Sequence, residues 1–370
     1  MPSVTKRRVG PSRYGDARER PGQPRAQPRP AGPPAPAAPP RPDRARRAFA
    51  PRGHQAQEPQ EPFVGLWSRL VAFDPHELSK LVEERTAVRT LLMRRTLHVV
   101  TAADALALRG VHQPMLEARM WATLRRNLPG VDLAELAEAG RPLFEGEPRM
   151  LTDAAREIAD RWPGVATRDL GDALSCLVPL VQVPPRGLWG QRGAALNVTV
   201  DRWLGTAPEP QTPEAVDALV LRYLAAFGPA ASADIRAWSG LSGLRESVTR
   251  LRPRLRVFRD ERRRELLDVE DGALPDPRTP APVRFLPAFD NAVLGFDDRS
   301  RIIDQEHRGL SVQGARFVLV DGRVAATWSV AGGVLRVEPL RPLTRRERAE
   351  VGAEAEPLLE LHGGGRLEIA

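Results

Sequence analysis

Two glutamines separated by one small residue, Gln55 and Gln57, have the spacing of a small chemical site. On an extended chain, residues i and i+2 project to the same side, so the two side-chain amides would lie together. Amide oxygens orient a water molecule and amide dipoles stabilise a developing positive charge, and neither task needs a shifted pKa. The spacing therefore allows both glutamines to bracket one water molecule. On the spacing alone, a polar loop at a domain edge is the favoured interpretation, since short motifs arise by chance.

Four other places carry polar groups that admit two interpretations. Arg94, ahead of a predicted strand, is a phosphate-binding candidate or an ordinary solvated charge. His98 lies in an apolar segment, which favours a hydrogen-bonded structural histidine over a proton donor. Arg186 and Trp189 fit a DNA-facing wing rich in proline and glycine, where the tryptophan is either a stacking wedge or a core residue. The pair Asp290–Asn291 resembles an enzyme site or caps a turn.

The positive charge of the chain is concentrated in its first 53 residues. Those residues hold 13 Lys+Arg and 3 Asp+Glu, a net charge of +10, whereas the remaining 317 hold 42 and 44, a net charge of −2. Nucleic-acid binding by the remaining part would therefore depend on a local basic patch rather than on bulk charge. All cations except Lys6 and Lys80 are arginine, which indicates codon bias more than a preference for bidentate phosphate contacts.

The single cysteine, Cys176, excludes an intramolecular disulfide and a cysteine-rich metal or iron–sulfur site. We expect it to fill a core because its neighbours are apolar. No metal and no cofactor are predicted. The chain contains neither a run of 18 apolar residues nor an N-terminal signal segment, so we expect a cytoplasmic protein without a membrane span.

Residues 1–53 contain 13 prolines and few large apolar side chains, a composition that predicts disorder because too little surface can be buried. Three interpretations are open. The segment is a basic arm that holds DNA by counterion release, a dispensable tail, or mis-started or out-of-frame translation of GC-rich DNA. The last two are favoured because the composition is biased but contains no functional motif.

The rest of the chain predicts an α+β fold that is mainly helical. Asp74, followed by Pro75, caps a helix that runs to about Arg85, and the apolar segment 96–100 is a predicted strand. Further helices are predicted from 102 to about 109 or beyond, and over 112–128, 132–139, 152–161 and 167–181. A loop or wing over 182–190 and a proline-rich linker over 206–213 follow them.

Residues 214–270 form the clearest local unit, with helices over 214–227, 233–238 and 244–251 and strands over 255–259 and 265–269. Three helices followed by a hairpin is the order of a winged helix-turn-helix. Two interpretations are open for its arginines, namely phosphate contacts or solvated charges on a scaffold. The arginines are Arg245, Arg250, Arg252 and those at 262–264. Beyond residue 275 the pattern changes to strands at 283–286, 315–320, 324–330 and 334–339, closed by a helix over 345–361.

Seven short segments follow one another along about 315 residues in a recognisable order. They are QAQEP (55–59), GLWSRL (65–70), LMRRTLH (92–98), VPPRGLWG (183–190), WL (203–204), LPAFDN (286–291) and VDGRV (320–324). Together they resemble the winged-helix DNA glycosylases of the AlkZ and YcaQ family. The resemblance implies three tandem winged helices around a DNA-sized cleft, with a β-rich C-terminal region. The family's catalytic motif, Gln-apolar-Gln or Gln-apolar-Asp, maps onto Gln55 and Gln57.

The resemblance also implies a reaction, the removal of N-alkylated purines, in some members from interstrand crosslinks. An N7-alkylguanine is cationic and leaves as a neutral base, so no general acid is needed, whereas water must be held on the far face of C1′. We therefore expect a monofunctional glycosylase acting on double-stranded DNA as a monomer associated with the nucleoid. The alternative is a non-catalytic winged-helix DNA-binding protein. The predicted DNA contacts are Arg69, Arg94, Arg186, Trp189, Arg192, Arg245 and Arg250.

The same comparison predicts four parts of the chain. They are the tail at 1–53, two winged helices with the catalytic motif at 54–205, a third winged helix at 206–275, and a β-rich domain at 276–370.

One feature departs from the family pattern. The tail stands where helices normally lead into the glutamine motif, and His54 stands where an apolar residue is common. We therefore expect less support around the glutamines than in other members, which would reduce activity.

Overall fold

The computed structural model describes residues 54–370, so the interpretations of residues 1–53 fall outside the described part of the chain. The helices are α1 (Glu61–Trp67), α2 (Pro75–Glu83), α3 (Ala102–Leu124), α4 (Leu133–Gly140), α5 (Leu151–Ile158), α6 (Thr167–Leu177), α7 (Val200–Leu204), α8 (Pro213–Phe227), α9 (Ser232–Ser239), α10 (Leu244–Leu251), α11 (Asn291–Leu294) and α12 (Arg345–Leu361). The strands are β1 (His54–Gln55), β2 (Ala87–Leu91), β3 (Leu97–Thr101), β4 (Arg149–Met150), β5 (Leu180–Gln182), β6 (Leu196–Thr199), β7 (Leu255–Arg259), β8 (Glu265–Val269), β9 (Arg284–Phe285), β10 (Arg316–Val320), β11 (Arg323–Ala331), β12 (Val334–Pro339) and β13 (Arg366–Ile369).

Strands β1 to β6 form one antiparallel sheet in the order β1-β3-β2-β5-β6-β4. Helix α3 covers the sheet, and Val88, Val100 and Val181 share its buried core. The connection between β5 and β6 contains the predicted loop or wing at 182–190. Strand β1, which carries Gln55, lies at the edge of the sheet, next to β3.

Helix α3 is one continuous helix where the sequence predicted two. It begins where predicted, because the Thr101 hydroxyl accepts a hydrogen bond from the Asp104 N–H at 3.1 Å. It then passes through Gly110 and Pro114 without a break. Gly110 is a point of close approach, since an added Cβ would collide with the carbonyl oxygen of Glu209. The predicted division into two helices was therefore wrong, because the glycine serves packing between elements rather than helix termination.

The unit from α8 to β8 has the predicted order of three helices and a hairpin, with bounds close to those expected. The Tyr223 ring lies 5.2 Å from both the Phe227 and the Trp238 rings, which joins α8 to α9 through aromatic packing. A backbone bridge between Ala230 and Leu267 fastens the α8–α9 connection to the hairpin. Its assignment as a winged helix, and the four-part division of the chain, stay predictions.

Strands β9 to β13 form a second sheet in the order β13-β12-β11-β10-β9, with α12 packed against it. The predicted strands and the closing helix are present, but β13 was missed. It pairs in parallel with β12, and a parallel partner leaves no hairpin turn in the sequence. The guanidinium of Arg316 on β10 pairs with the buried carboxylate of Glu61 on α1, so this sheet supports the segment that follows Gln55.

The α+β class is confirmed, and Cys176 is fully buried as expected. Within residues 54–370, no helix combines the length and apolar character needed to cross a membrane.

Candidate active site

Gln55 is fixed at the sheet edge by backbone pairing and by its side chain. It stands opposite His98, and the N–H of the next residue, Ala56, donates to the Leu97 carbonyl at 2.7 Å. The Gln55 side chain is buried, and its Oε1 accepts a hydrogen bond from Arg94 Nη2 at 2.8 Å. Gln57 lies beyond the end of the strand and is exposed. The two glutamines therefore have different environments despite their spacing.

Arg94 joins three distant parts of the chain at this point. Its Nη1 donates to the Trp238 carbonyl at 2.6 Å, and its Nη2 also lies 3.3 Å from the amide oxygen of Asn291. The φ angle of Arg94 is +57°, a left-handed conformation that costs a non-glycine residue about 1–3 kcal/mol. The Arg94 backbone is therefore strained in the conformation that places its guanidinium against Gln55.

Arg94 keeps its charge in this partly enclosed place. Burial, followed by the positive charges of Arg299 and Arg119, lowers the pKa of Arg94 to about 10. The guanidinium is therefore protonated at neutral pH. Arg119 is itself exposed and donates to the Arg94 carbonyl at 3.2 Å, so it holds the backbone of the same turn.

Gly240→Ala is expected to lower the free energy of unfolding by about 2 kcal/mol. Gly240 has a φ of +79°, and an added Cβ would lie 3.1 Å from the backbone nitrogen of Arg94. Gly243, with a φ of +73° and open space around its Cβ position, is the matched control, for which backbone strain alone costs about 1 kcal/mol. Urea unfolding measures both losses. Equal losses would contradict a structural role for the approach of Gly240 to the Arg94 turn.

Asp290 is a buried carboxylate that serves two structural tasks. Its oxygens accept hydrogen bonds from Arg69 Nη2 at 2.6 and 2.8 Å, and one also caps α11 through the Ala292 N–H at 2.7 Å. Burial opposes its ionisation, but Arg69 and the cap outweigh burial and lower the pKa of Asp290 below its usual value. Of the two interpretations of Asp290–Asn291, the capping role is present, since Asp290 caps α11.

Arg89 on β2 is a positioning residue that sequence reasoning missed. It is buried, and its guanidinium donates to the Ala56 carbonyl from Nε at 3.0 Å and from Nη2 at 2.6 Å. Nη2 also reaches the Gln57 carbonyl at 3.3 Å, while Nη1 contacts the amide oxygen of Gln182. The available signal was an arginine inside the otherwise apolar segment of β2, a position that requires internal partners.

Two neighbouring cavities flank this strand end. The Gln55 cavity has a volume of about 370 Å³ and is lined by Gln55, Arg69, Phe289 and Asp290, among others. The Gln57 cavity has a volume of about 690 Å³, and its lining includes Gln57, Arg94, Arg119, Thr123, Gln182 and Asn197. The structure therefore assigns the two glutamines to different cavities, and the shared water molecule stays a prediction.

The family profile described as DNA glycosylase AlkZ-like matches residues 52–361, which include every group of both cavities named above. This chain belongs to the AlkZ-like DNA glycosylase family. It is 25% identical over 347 residues to an interstrand DNA cross-link repair glycosylase of Streptomyces sahachiroi, covering 86% of this chain and 90% of that protein. The solved structure of the Streptomyces sahachiroi DNA glycosylase AlkZ has a similar fold, with a TM-score of 0.72 at 23% identity and coverage of 86% and 90%. The resemblance inferred from the seven segments is confirmed.

Most of the predicted DNA contacts of this AlkZ-like chain already have partners within the protein. Arg69 pairs with Asp290, and Arg94 binds Gln55. Arg186 donates to the Gly193 carbonyl at 3.1 Å, Arg250 pairs with Asp217 at 2.8 Å, and Arg262 and Arg264 both pair with Asp298. Arg192, Arg245 and Arg250 are exposed. All seven contacts stay predictions, and Arg192 and Arg245 are exposed arginines for which no ion pair is seen within residues 54–370.

Trp189 has the environment of a packing residue in this AlkZ-like fold. Its ring lies 5.1 Å from that of Phe63 and 6.0 Å from that of His362, and the backbone N–H of Trp189 donates to the Ser79 hydroxyl at 3.0 Å. These contacts fit the core interpretation better than a wedge inserted into DNA.

His98 is fully buried, and its Nδ1 lies 2.9 Å from the Thr96 carbonyl. Burial, together with the nearby charge of Arg94, lowers the pKa of His98 to about 3. The ring is therefore neutral at neutral pH and has no proton to give as a general acid, which supports the structural interpretation. Within residues 54–370, no group of three or more His, Cys, Asp or Glu side chains is placed to hold a metal ion.

Proposed function

We propose that this chain is a monofunctional DNA glycosylase that hydrolyses the N-glycosidic bond of N7-alkylated or crosslinked purines in double-stranded DNA, with water positioned by Gln55 and Gln57. The observation that carries the proposal is the convergence on Arg94. Its guanidinium contacts Gln55 at 2.8 Å and Asn291 at 3.3 Å. Three of the segments that carry the family resemblance thus meet at one point, although they lie far apart in the sequence.

The chemistry of the lesion suits the groups that are present. The C1′–N9 bond breaks and its electron pair leaves with the purine, which neutralises the cationic ring. The water oxygen bonds to C1′ and releases one proton to solvent. The sugar becomes oxocarbenium-like on the way. Amide groups orient the water and stabilise that charge, whereas a proton donor is unnecessary, consistent with the neutral His98.

The position of the lysine within residues 54–370 supports hydrolysis without strand cleavage. A lyase reaction that forms a Schiff base needs an amine close to C1′. Lys80, the one lysine among residues 54–370, has an exposed side chain, lies 3.7 Å from Glu84, and lines neither the Gln55 nor the Gln57 cavity. We expect abasic DNA that remains uncut until alkali is added.

The test is base release from a methylated duplex and from a duplex carrying a mustard crosslink. Wild-type protein is expected to release alkylpurine, and Gln55→Ala and Gln57→Ala should each release it at least tenfold more slowly with unchanged DNA affinity. Titrations at several salt concentrations give the affinity and its electrostatic part. Wild-type protein that binds DNA but releases no base would instead support the non-catalytic DNA-binding alternative.

A further inference from the structure

Gln55 and Gln57 differ in what they can contact. Gln55 is 8% exposed, lines the smaller Gln55 cavity and has its Oε1 engaged by Arg94, so its acceptor atom is directed into the protein. Gln57 is exposed and lines the larger cavity, where Gln182 and Asn197 add further amide groups. The structure therefore gives the two glutamines different environments, whereas their spacing suggests equal roles.

We propose that Gln57 alone contacts the reacting water and the damaged nucleotide, which enters the Gln57 cavity, and that Gln55 contributes to placing the water only indirectly, as a positioning residue acting through Arg94. This inference rests on the proposed function and gives the two glutamines different roles. Gln57 is then the catalytic residue.

The Gln57 cavity has the size and lining for a nucleotide with a substituent. At about 690 Å³ it lies within the range of cavities that bind small molecules. Leu91, Leu97 and Leu180 supply an apolar part, while Thr123 and Asn197 supply polar groups. The ion pair between Arg95 and Asp172, with a distance of 2.8 Å, lies in the same wall. The leucines suit the alkyl group, while Arg94 and Arg119, which line the same cavity, suit the phosphate of the nucleotide.

Gln55 controls Gln57 through the backbone that they share. Arg94 ties the Gln55 amide to the Trp238 carbonyl and to Asn291, which fixes the end of β1. Arg89 then holds the carbonyls of Ala56 and Gln57. Loss of the Gln55 amide releases the first anchor while Arg89 keeps the second, so the loss in rate stays below the roughly 100-fold that a full displacement of about 1 Å at the reacting group costs.

A double-mutant cycle tests the division. Single-turnover release of 7-methylguanine from a saturating enzyme–duplex complex is measured for Gln57→Ala, Gln55→Ala and the double variant. We expect losses of about 100-fold for Gln57→Ala and about 10-fold for Gln55→Ala. If Gln55 acts only by placing Gln57, the double variant is no slower than Gln57→Ala. Two independent catalytic roles would instead multiply to about 1000-fold and would overturn the inference.

Conservative replacement gives a second readout. A carboxylate at position 55 still accepts the Arg94 hydrogen bond, so Gln55→Glu is expected to recover most of the rate lost in Gln55→Ala. No recovery would count against positioning through Arg94. This variant also keeps the test valid if Gln55→Ala unfolds. Gln305→Ala, at an exposed glutamine outside both cavities, is the control.

The outcomes separate this inference from the proposed function. Wild-type protein without any base release removes the proposed function and this inference with it. Wild-type activity with a multiplicative cycle, or with a Gln57→Ala variant as fast as the wild type, removes the division of labour and leaves the glycosylase proposal standing.

Discussion

Asp290→Asn is expected to lower the free energy of unfolding at pH 7 by about 3–5 kcal/mol, the range for breaking a buried ion pair by removing one partner. Asparagine keeps the shape and still caps α11, so the change removes the negative charge alone. The guanidinium of Arg69, whose side chain is 23% exposed beside a carboxylate that is 3% exposed, then loses its counter-charge. Urea unfolding at pH 7 measures the loss.

The pH dependence carries a definite sign. Because the pKa of Asp290 is lower in the folded protein, its stabilising contribution is fully present above the unfolded value of about 3.9. The contribution declines as the pH falls from there through the folded pKa. The difference between wild type and Asp290→Asn is therefore largest at neutral pH and shrinks below about pH 4. A difference that grows towards acid would contradict the assignment.

Asp132→Asn is the matched control for this prediction. Asp132 is an exposed aspartate that caps α4 through the N–H groups of Ala134 and Glu135 at 2.8 and 2.9 Å. Since both residues cap well, the expected change is below about 0.5 kcal/mol. A comparable loss at both positions would mean that capping, and not the Arg69 pair, accounts for the effect.

Local structure was predictable where local rules decide it. The helix at Pro75–Glu83 begins at Asp74 because the side chain accepts the His76 N–H at 2.9 Å, a pattern visible in three consecutive residues. The unit from α8 to β8 was predictable for the same reason, since apolar periodicity and turn residues mark each of its elements. Strand β13 was not, because a short parallel strand has no turn that announces it.

The candidate site was predictable in its members but not in its contacts. Gln55, Arg94 and Asn291 were all singled out, yet their hydrogen bonds join residues up to 197 positions apart. Arg69 and Asp290 are separated by 221 positions. Spacing rules describe neighbours within one helix or strand, so they report neither these partners nor the burial that results. The sequence does not distinguish an arginine that pairs within the protein from one that binds a phosphate of DNA.

Arg89→Lys is expected to lower base release by about 100-fold and the free energy of unfolding by about 2–4 kcal/mol. Burial, and then the charge of Arg186, lowers the pKa of Arg89 to about 10, so the guanidinium stays protonated while it holds the Ala56 and Gln57 carbonyls and Gln182. A lysine presents one compact ammonium group and cannot reproduce the planar fork. The carbonyls left unpaired would move the strand end that carries Gln57.

Arg85→Lys serves as the comparison for this prediction, because it changes an arginine just before the same strand. Arg85 is exposed, donates to the Trp203 carbonyl at 3.1 Å, and its guanidinium lies 4.1 Å from the centre of the Trp203 ring. We therefore expect the free energy of unfolding to fall by less than about 1 kcal/mol, with no effect on base release. Single-turnover kinetics and urea unfolding measure both variants. If Arg89→Lys loses stability but releases base at the wild-type rate, Arg89 supports the fold without positioning Gln57. The two measurements separate these roles because one guanidinium affects both the free energy of unfolding and the rate of base release. Only the loss of rate requires the Gln57 backbone to move.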